Sequence, residues 1–350
     1  MMLNEYTGCL HIHLNPDIRD DNFNIIVSGA INSGLDFLIL NPHTPCRKRS
    51  FDYFLMDGYR DGVLILAGEE ADEKTGLNHI LVYGKRNWVG RRPLEEIVKF
   101  IENNSLISFA AHPDGKHRLF GFQNDHRWTK RHLLNFLTGI EVWSLLFDFS
   151  ARTNPSNVLI RYLAFPGNLK GPSFSTLSLW DRIAKIRRFT GVSGLDIHPL
   201  RYGLKYFDIK KNFEYGSVFK ILRNHILTEK RLTGNSSTDI KIIEDAFRNA
   251  RVFFANDFIA DSTGFFFGTE DRKSTMGDCV NSDKELLVEL PEQADARIIT
   301  AKKVISFKSV RRMVFKPEES GPCRIEVYYR GMPWIFSNHI YVMKLTDAEI

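Results

Sequence analysis

Cysteine is scarce in this sequence of 350 residues: the chain has only Cys9, Cys46, Cys279 and Cys323, and they are widely scattered. No two of them form a CxxC pair, so neither a disulfide framework nor a thiolate zinc site is expected. This usage fits a reducing compartment, and we expect the protein in the cytoplasm.

Long apolar runs are also missing. No stretch approaches the roughly 20 residues that span a bilayer, and the opening MMLNEYTG has neither the basic start nor the apolar segment of a secretory signal.

Charge of one sign is not in large excess, since the formal net charge is +5. We therefore expect a small, anionic substrate, with neither a nucleic acid nor a membrane as partner, and the sequence leaves the oligomeric state open.

The sequence does contain a repeated alternation of apolar runs and amphipathic stretches. The runs DFLILNPHTP, GVLILAGEEAD, NHILVYG and LISFAAHPDG alternate with helical patterns such as PLEEIVKFIENN, which begins with proline and has two glutamates in its first turn. Continuous apolar strands that alternate with helices are typical of a parallel sheet covered by helices.

Two pairs of polar residues have the same spacing far apart in the chain. GCLHIHLNPD contains His11 and His13, and LDIH contains Asp196 and His198. Side chains two positions apart on a strand point the same way, so each pair is expected on one face at a strand end. If the sheet closes into a barrel, the first and last strands become neighbours and the two pairs meet.

Potential metal ligands end nearly every predicted strand, where functional groups of parallel α/β folds gather. The set is His11, His13, His43, Glu70, His79, His112, Asp196 and His198. Six imidazoles and two carboxylates are too many for one divalent ion, and they suit two or three ions of zinc, manganese or iron. Such a centre activates water for hydrolysis.

The ordered motifs HIH, NPH, GEE followed by NH, AAHP and LDIH resemble those of the PHP (polymerase and histidinol phosphatase) superfamily. The segments LSLWDRIAKIRRFTGVSGLDIH, AFRNARVFFAND and RIEVYYRGMPWIFSNHIYV are similar to its CehA/McbA-like metallohydrolase branch. We expect AFRNARVFFAND to be helical. The resemblance covers almost the whole chain. It implies an α/β fold, a distorted seven-stranded β/α barrel of the TIM-like kind, with two or three metal ions at the C-terminal ends of the strands.

The resemblance also implies roles for the ligands. One ion would be held by His11, His13, Glu70 and Asp196. Glu70 would also hold a second ion, together with His79 and His112. His43 and His198 would face a third ion. Glu70 would be the catalytic bridging carboxylate that holds the nucleophilic water together with the metals. Glu69 is its rival, and the family's glycine-x-glutamate spacing from Gly68 favours Glu70.

The chain departs from the family's pattern at several positions. Cys9 and Pro42 stand where relatives usually have aspartate, and Leu195 stands where they have serine. Asp17, the nearest candidate for a further ligand of the third ion, is one residue out of register. Residues at such positions orient ligands and tune the metal, so these departures bear on activity and metal choice.

The C-terminal part has a different pattern. From about residue 281, apolar and polar residues alternate between turn signals, which indicates antiparallel strands. We therefore predict a PHP hydrolase barrel at 1–255, a connecting segment at 256–280 and a small β-sandwich-like domain at 281–350.

These features favour a metal-dependent hydrolase, and a phosphoesterase before others. The basic stretch CRKRS after His43 suits a phosphate ester. An amide, ester or carbamate hydrolase on the same centre stays open, as does a PHP module that has lost catalysis and serves as a binding unit. The sequence assigns no substrate-binding residue.

Overall fold

The computed structural model describes residues 3–14, 21–44, 53–84, 87–119, 122–198 and 215–344. In these ranges the chain is a mixed α/β structure with one large sheet, one five-stranded sheet and a short hairpin. Within the same ranges, no helix is long and apolar enough to cross a membrane.

The strands of the N-terminal part are β1 (Asn4–Ile12), β2 (Phe37–Leu40), β3 (Gly58–Arg60), β4 (Val63–Ala67), β5 (Glu69–Ala71), β6 (Ile80–Tyr83), β7 (Ile107–Ala110), β8 (Lys116–Leu119), β9 (Phe122–Asp125), β10 (Gly139–Ser144) and β11 (Thr190–Gly194). The later strands are β12 (Leu222–Thr228), β13 (Val252–Asn256), β14 (Phe266–Thr269), β15 (Cys279–Asn281), β16 (Leu286–Ile299), β17 (Val304–Phe315), β18 (Gly321–Tyr329), β19 (Met332–Ser337) and β20 (Ile340–Met343).

The α-helices are α1 (Asp21–Asn32), α2 (Leu94–Asn103), α3 (Leu145–Ser150), α4 (Val158–Leu163), α5 (Phe174–Ala184), α6 (Tyr215–Val218) and α7 (Ser236–Arg248). Helix α2 forms where its pattern predicts it. Pro93 precedes its first residue, Glu95 and Glu96 lie in its first turn, and its apolar side chains at helical spacing are buried.

The large sheet has thirteen strands and extends from the N-terminal part into the C-terminal part. β1 pairs in parallel with β2 and antiparallel with β12, and β13 connects β12 to β19. β16, β17, β18 and β19 follow as antiparallel strands. Their buried side chains form a second hydrophobic cluster together with residues of β12, β13 and β14. Because the sheet is continuous through β13 and β19, and β14 of the range 256–280 pairs with β16, the proposed domain boundaries stay a prediction.

The five-stranded sheet has the order β11-β10-β7-β6-β5, and both of its ends are hydrogen-bonded to the large sheet. At one end, the amide of His13 donates to the carbonyl of Ile197 (2.9 Å). At the other end, the amide of Glu70 donates to the carbonyl of Pro42 (3.0 Å). The strands of the expected barrel are therefore divided between two linked sheets.

The prediction of a parallel sheet is wrong at β6, which runs antiparallel to β5 and to β7. It is also wrong at β3 and β12, which run antiparallel to β4 and to β1. His79 immediately precedes β6 and so lies at the start of a strand. Because β6 runs in the opposite direction, its start lies at the same end of the sheet as the ends of its neighbours. A second correction concerns AFRNARVFFAND, which is helical only to Arg248, since Val252–Asn256 forms β13.

Candidate metal centre

The structure brings all of the sequence-predicted ligands into one connected cluster. The cluster contains three overlapping groups of residues, and within each group the donor atoms lie within 4.8 Å of one another. The groups are His11, His13, Glu70 and Asp196; His43, Glu70, Asp72 and His79; and His13, His43 and His198. His112 joins the cluster through its contact with Glu70.

Glu70 lies at the centre of the cluster, and its two carboxylate oxygens face different imidazoles. Oε1 is 2.8 Å from His79 Nδ1 and 3.0 Å from His112 Nε2. Oε2 is 3.4 Å from His11 Nε2 and 3.3 Å from His13 Nε2. One carboxylate therefore contacts two separate sets of nitrogen donors, which is the arrangement of a bridging ligand.

The pair Asp196 and His198 contacts the pair His11 and His13 from the other side. Asp196 Oδ1 lies 3.2 Å from His13 Nε2 and 3.5 Å from His11 Nε2. The ring of His198 stacks on that of His13 with centroids 3.8 Å apart, and its Nε2 is 3.4 Å from His43 Nε2. The predicted meeting of the two pairs is found in the structure.

Several donor atoms at the centre are buried and have no hydrogen bond to any described residue: His11 Nε2, His13 Nε2 and Glu70 Oε2. Leaving such a group unsatisfied costs about 1–3 kcal/mol. Ligand atoms about 3.3 Å apart are correctly spaced to share an ion at roughly 2.0–2.2 Å. The residues present therefore fit a divalent metal.

Burial and charge act against each other at these groups. Burial raises the pKa of Glu70, but the imidazoles of His11 and His43 outweigh it and hold the pKa well below its usual value. Burial lowers the pKa of His13 well below its ordinary value, and the His198 ring adds to this effect. An ionised carboxylate and a neutral imidazole are the forms that bind metals.

His11 behaves differently. Burial lowers its pKa, but the carboxylates of Glu141, Asp196 and Glu70 outweigh burial and raise the pKa well above its ordinary value. The negative charge that favours a proton on His11 is the charge that a divalent cation would neutralise.

The backbone is strained at the cluster. His11 (φ 62°), His112 (φ 27°) and Asp196 (φ 52°) all adopt left-handed conformations that are unusual for residues other than glycine. The pairing of β1 with β2 shifts register between Cys9 and Ile12. His11 and His13 thus reach the same site, although the strand between them is irregular and does not follow the regular alternation that we expected.

Two carboxylates at the cluster were not predicted. Asp72 is buried, and its Oδ1 lies 3.0 Å from His43 Nδ1 and 3.8 Å from His79 Nε2. Its position two residues after Glu70 is the signal that would have identified it, because the same rule of alternating faces applies.

Glu141 is the second unpredicted carboxylate. It accepts a hydrogen bond from His11 Nδ1 (2.9 Å) through one oxygen and from the backbone amide of His112 (2.6 Å) through the other. A carboxylate that binds Nδ1 leaves Nε2 of His11 for a metal and fixes the ring orientation. The signal in the sequence was a glutamate within the otherwise apolar strand IEVW.

Glu69, the rival of Glu70, points to a neighbouring loop. Its carboxylate accepts hydrogen bonds from the backbone amides of Val89 (2.7 Å) and Gly90 (3.2 Å). Since successive side chains on β5 point to opposite faces, only Glu70 is directed into the cluster.

The departures from the family pattern take structural roles. Cys9 is buried, its thiol donates to the carbonyl of Leu222 (3.5 Å), and burial raises its pKa to about 12, so it remains protonated. Leu195 belongs to the hydrophobic core. Asp17 and the stretch CRKRS at 46–50 lie outside the described residues.

Comparison with known proteins finds similarity to solved structures. No protein-family model matches the chain. A comparison with curated proteins also finds no match. The chain is similar to the crystal structure of a two-domain protein from Bacteroides vulgatus that contains a predicted PHP-like metal-dependent phosphoesterase, with 13% sequence identity, coverage of 97% of this chain and 96% of that chain, and a TM-score of 0.46.

Proposed function

We propose that this chain is a metal-dependent hydrolase of the PHP type that cleaves a phosphate ester. The observation that carries the proposal is the set of buried donor atoms around Glu70. His11 Nε2 and His13 Nε2 lie 3.4 and 3.3 Å from Glu70 Oε2, and none of the three atoms has a hydrogen bond within the described part of the chain. Imidazole with carboxylate is a donor set of zinc, manganese and iron sites.

The residues of the cluster have different roles in this proposal. Glu70 would hold two ions through its separate oxygens, with His11, His13 and Asp196 on one side and His79 and His112 on the other. When bound, divalent ions supply Lewis acidity, which lowers the pKa of water and polarises the bond to be cleaved. Glu141 holds the His11 ring in the orientation that directs Nε2 to the cluster.

A cation beside the cluster supports an anionic substrate. The Arg91 guanidinium lies 3.5 Å from Asp72, and 60% of its side chain is exposed. The Glu69 carboxylate accepts hydrogen bonds from the amides of Val89 and Gly90, the two residues before Arg91. These bonds fix the backbone that places Arg91 beside Asp72. A guanidinium near a metal centre suits the oxygens of a phosphate group.

The proposal is tested by stripping the protein of metal, reconstituting it separately with zinc, manganese and iron, and measuring metal content and turnover. We expect at least two equivalents of ion and metal-dependent hydrolysis of p-nitrophenyl phosphate. Less than one equivalent would contradict the metal centre. Faster hydrolysis of p-nitrophenyl acetate would favour the ester hydrolase, and full metal content without turnover would favour a binding module.

A pair of arginine variants tests the substrate charge. Arg91→Ala should raise KM for p-nitrophenyl phosphate while metal content stays unchanged. The matched control is Arg330→Ala, which changes an exposed arginine in the β18–β19 turn and should leave KM unchanged. Equal KM values for the two variants would remove Arg91 from the proposal.

A further inference from the structure

Asn41 is a fully buried polar residue that lies among the strands of the metal-ligand cluster, and no role considered so far uses it. It directly follows β2. Because the side chain is shielded from water, the polar atoms of its carboxamide need partners within the protein. Those partners lie on three different strands, β1, β5 and β6.

The carboxamide oxygen of Asn41 accepts two hydrogen bonds. The backbone amide of His11 donates one (3.1 Å), and the Tyr83 hydroxyl donates the other (3.2 Å). Burial raises the pKa of Tyr83 well above its ordinary value, so the hydroxyl keeps the hydrogen that it donates. The side-chain amide of Asn41 in turn donates to the carbonyl of Glu69 (3.4 Å), the residue before Glu70. The carboxamide therefore connects His11 to the strand that carries the bridging carboxylate.

The pairing of β1 with β2 explains why the His11 amide needs this partner. The register shifts between Cys9 and Ile12, which leaves two residues of β1 opposite one residue of β2. Such a bulge interrupts the regular ladder of hydrogen bonds. His11 lies in this interruption, with a φ of 62°. The oxygen of Asn41 thus supplies an acceptor that the interrupted ladder does not offer.

Gly68 leaves the space that the carboxamide occupies. A methyl group added at this glycine would lie 2.8 Å from Asn41 Nδ2 and 2.6 Å from Tyr83 Cδ1, which is too close for a real contact. The backbone amide of Gly68 also donates to the carbonyl of Leu40 (2.8 Å), the residue before Asn41. The glycine that precedes the two glutamates of β5 is therefore required by the close approach of Asn41 and Tyr83.

His11 is fixed at its backbone as well as at its ring. Glu141 accepts a hydrogen bond from His11 Nδ1 (2.9 Å), and His11 Nε2 lies 3.4 Å from Glu70 Oε2. The direction of the ring also depends on the left-handed backbone, because φ sets where the side chain leaves the strand. Functional groups must be held within about 0.5 Å of their productive geometry. The hydrogen bond from Glu141 alone does not fix the backbone.

We propose that Asn41 is a positioning residue of the metal centre, which holds the left-handed backbone of His11 so that Nε2 faces the ion shared with Glu70. Asn41 is not itself a ligand, since its oxygen already accepts from two donors. The role rests on the metal centre of the proposed function, but it concerns the binding of ions and is measured without turnover.

The test is a zinc titration of the metal-free full-length protein in competition with a chelator. Asn41→Ala should weaken binding of one zinc ion about 10- to 100-fold, the usual effect of losing a group that orients a ligand. Asn338→Ala is the matched control, because this asparagine is equally buried and its carboxamide bonds the backbone of Gly191 (2.7 and 2.8 Å) and Val252 (2.8 Å). Both variants should unfold at lower urea concentration than the wild type, but only Asn41→Ala should weaken zinc binding.

A double variant separates an effect through His11 from a general loss of packing. His11→Ala removes the ring and should weaken binding of the same ion. Adding Asn41→Ala to this variant should change zinc affinity by less than about threefold, because the two changes act on one contact. Costs that add, or equal zinc affinity of Asn41→Ala and Asn338→Ala, would overturn the proposal.

If Asn41→Ala does not fold, Tyr83→Phe decides. It removes only the hydroxyl that donates to the same oxygen and so loosens the carboxamide. Zinc binding should weaken about 3- to 10-fold, the range for loss of one hydrogen bond. Unchanged zinc affinity in this variant would overturn the proposal.

The proposed function and the role of Asn41 can fail separately. Weakened zinc binding in Asn41→Ala, without hydrolysis of p-nitrophenyl phosphate by the wild type, would retain the role of Asn41 and remove the hydrolase. Hydrolysis by the wild type, with unchanged zinc affinity in Asn41→Ala, would retain the hydrolase and remove the role of Asn41.

Discussion

His13 Nε2 lies 3.2 Å from Asp196 Oδ1, although His13 follows the first strand of the chain and Asp196 follows β11. The backbone explains this contact, because the amide of His13 donates to the carbonyl of Ile197 (2.9 Å). The contact depends on the pairing of two distant segments, so the two side chains are expected to act on the same ion.

The first prediction concerns this pair. His13→Ala and Asp196→Ala should each remove most of the affinity for one ion, and the double variant should cost little more than either single change, because ligands of one ion are not independent. Calorimetric metal titrations of the wild type and the three variants measure the costs. Costs that add would show that the two residues serve separate sites.

The second prediction separates Glu70 from Glu69. Glu70→Gln keeps the size but removes the charge shared by two sets of imidazoles, so metal affinity should fall by more than about 100-fold, beyond the usual effect of residues that only support ligands. Glu69→Gln is the matched control, since its carboxylate binds the amides of Val89 and Gly90. Elemental analysis after dialysis should show loss of metal in the first variant only. Equal metal content in both would refute the central role of Glu70.

The third prediction concerns Asp72, which lies 3.0 Å from His43 Nδ1. Asp72→Asn leaves an acceptor for this nitrogen but removes the negative charge, and affinity for the ion nearest His43 should fall about 10- to 100-fold. Asp61→Asn, at the exposed turn between β3 and β4, is the control. Competition titrations with a chelator give the affinities, and unchanged values for Asp72→Asn would show that Asp72 does not support the centre.

The fourth prediction concerns the attachment of the C-terminal strands to α5. Buried Arg324 contacts Asp181 (2.6 Å) and Glu326 (2.8 Å), and Asp181 also contacts His339 (2.9 Å). Arg324→Met should lower the free energy of unfolding by about 3–5 kcal/mol, because it leaves these carboxylates without their cation. Urea unfolding measures the change, and Arg330→Ala should stay within about 0.5 kcal/mol of wild type. A loss below about 1 kcal/mol for Arg324→Met would contradict the prediction.

The fifth prediction concerns pH. Burial lowers the pKa of His225, but the carboxylates of Asp257 and Glu5 outweigh it and raise the pKa from 6.5 to about 9. The stabilisation from protonated His225 is therefore fully present below pH 6.5 and is lost as the pH rises through about 9. The loss should amount to about 3 kcal/mol.

Urea unfolding of the metal-free protein and of His225→Gln across this pH range isolates the effect. The free energy of unfolding should fall less with rising pH in the variant than in the wild type. Parallel curves for the two proteins would show that His225 is not protonated in the folded state.

The sequence by itself indicated eight of the residues at the cluster, but not Asp72 or Glu141. The i, i+2 spacing of His11 with His13 and of Asp196 with His198 predicted that the members of each pair reach one site, although the backbone at His11 and Asp196 is not regular strand. The apolar runs locate most of the strands that carry the other ligands. The pattern of α2 likewise follows from local rules of capping and amphipathicity, because these depend on neighbours in the chain.

Only the tertiary structure decided how the strands are paired. The periodicity of a strand specifies its two faces but contains no information on its direction or partners, so the antiparallel course of β6 and the continuity of the sheet through β13 and β19 were not predictable. The role of Glu141 depends on β10 lying beside the strand end that carries His11. These features arise from contacts between residues that are distant in sequence, and those contacts are made only when the chain is folded.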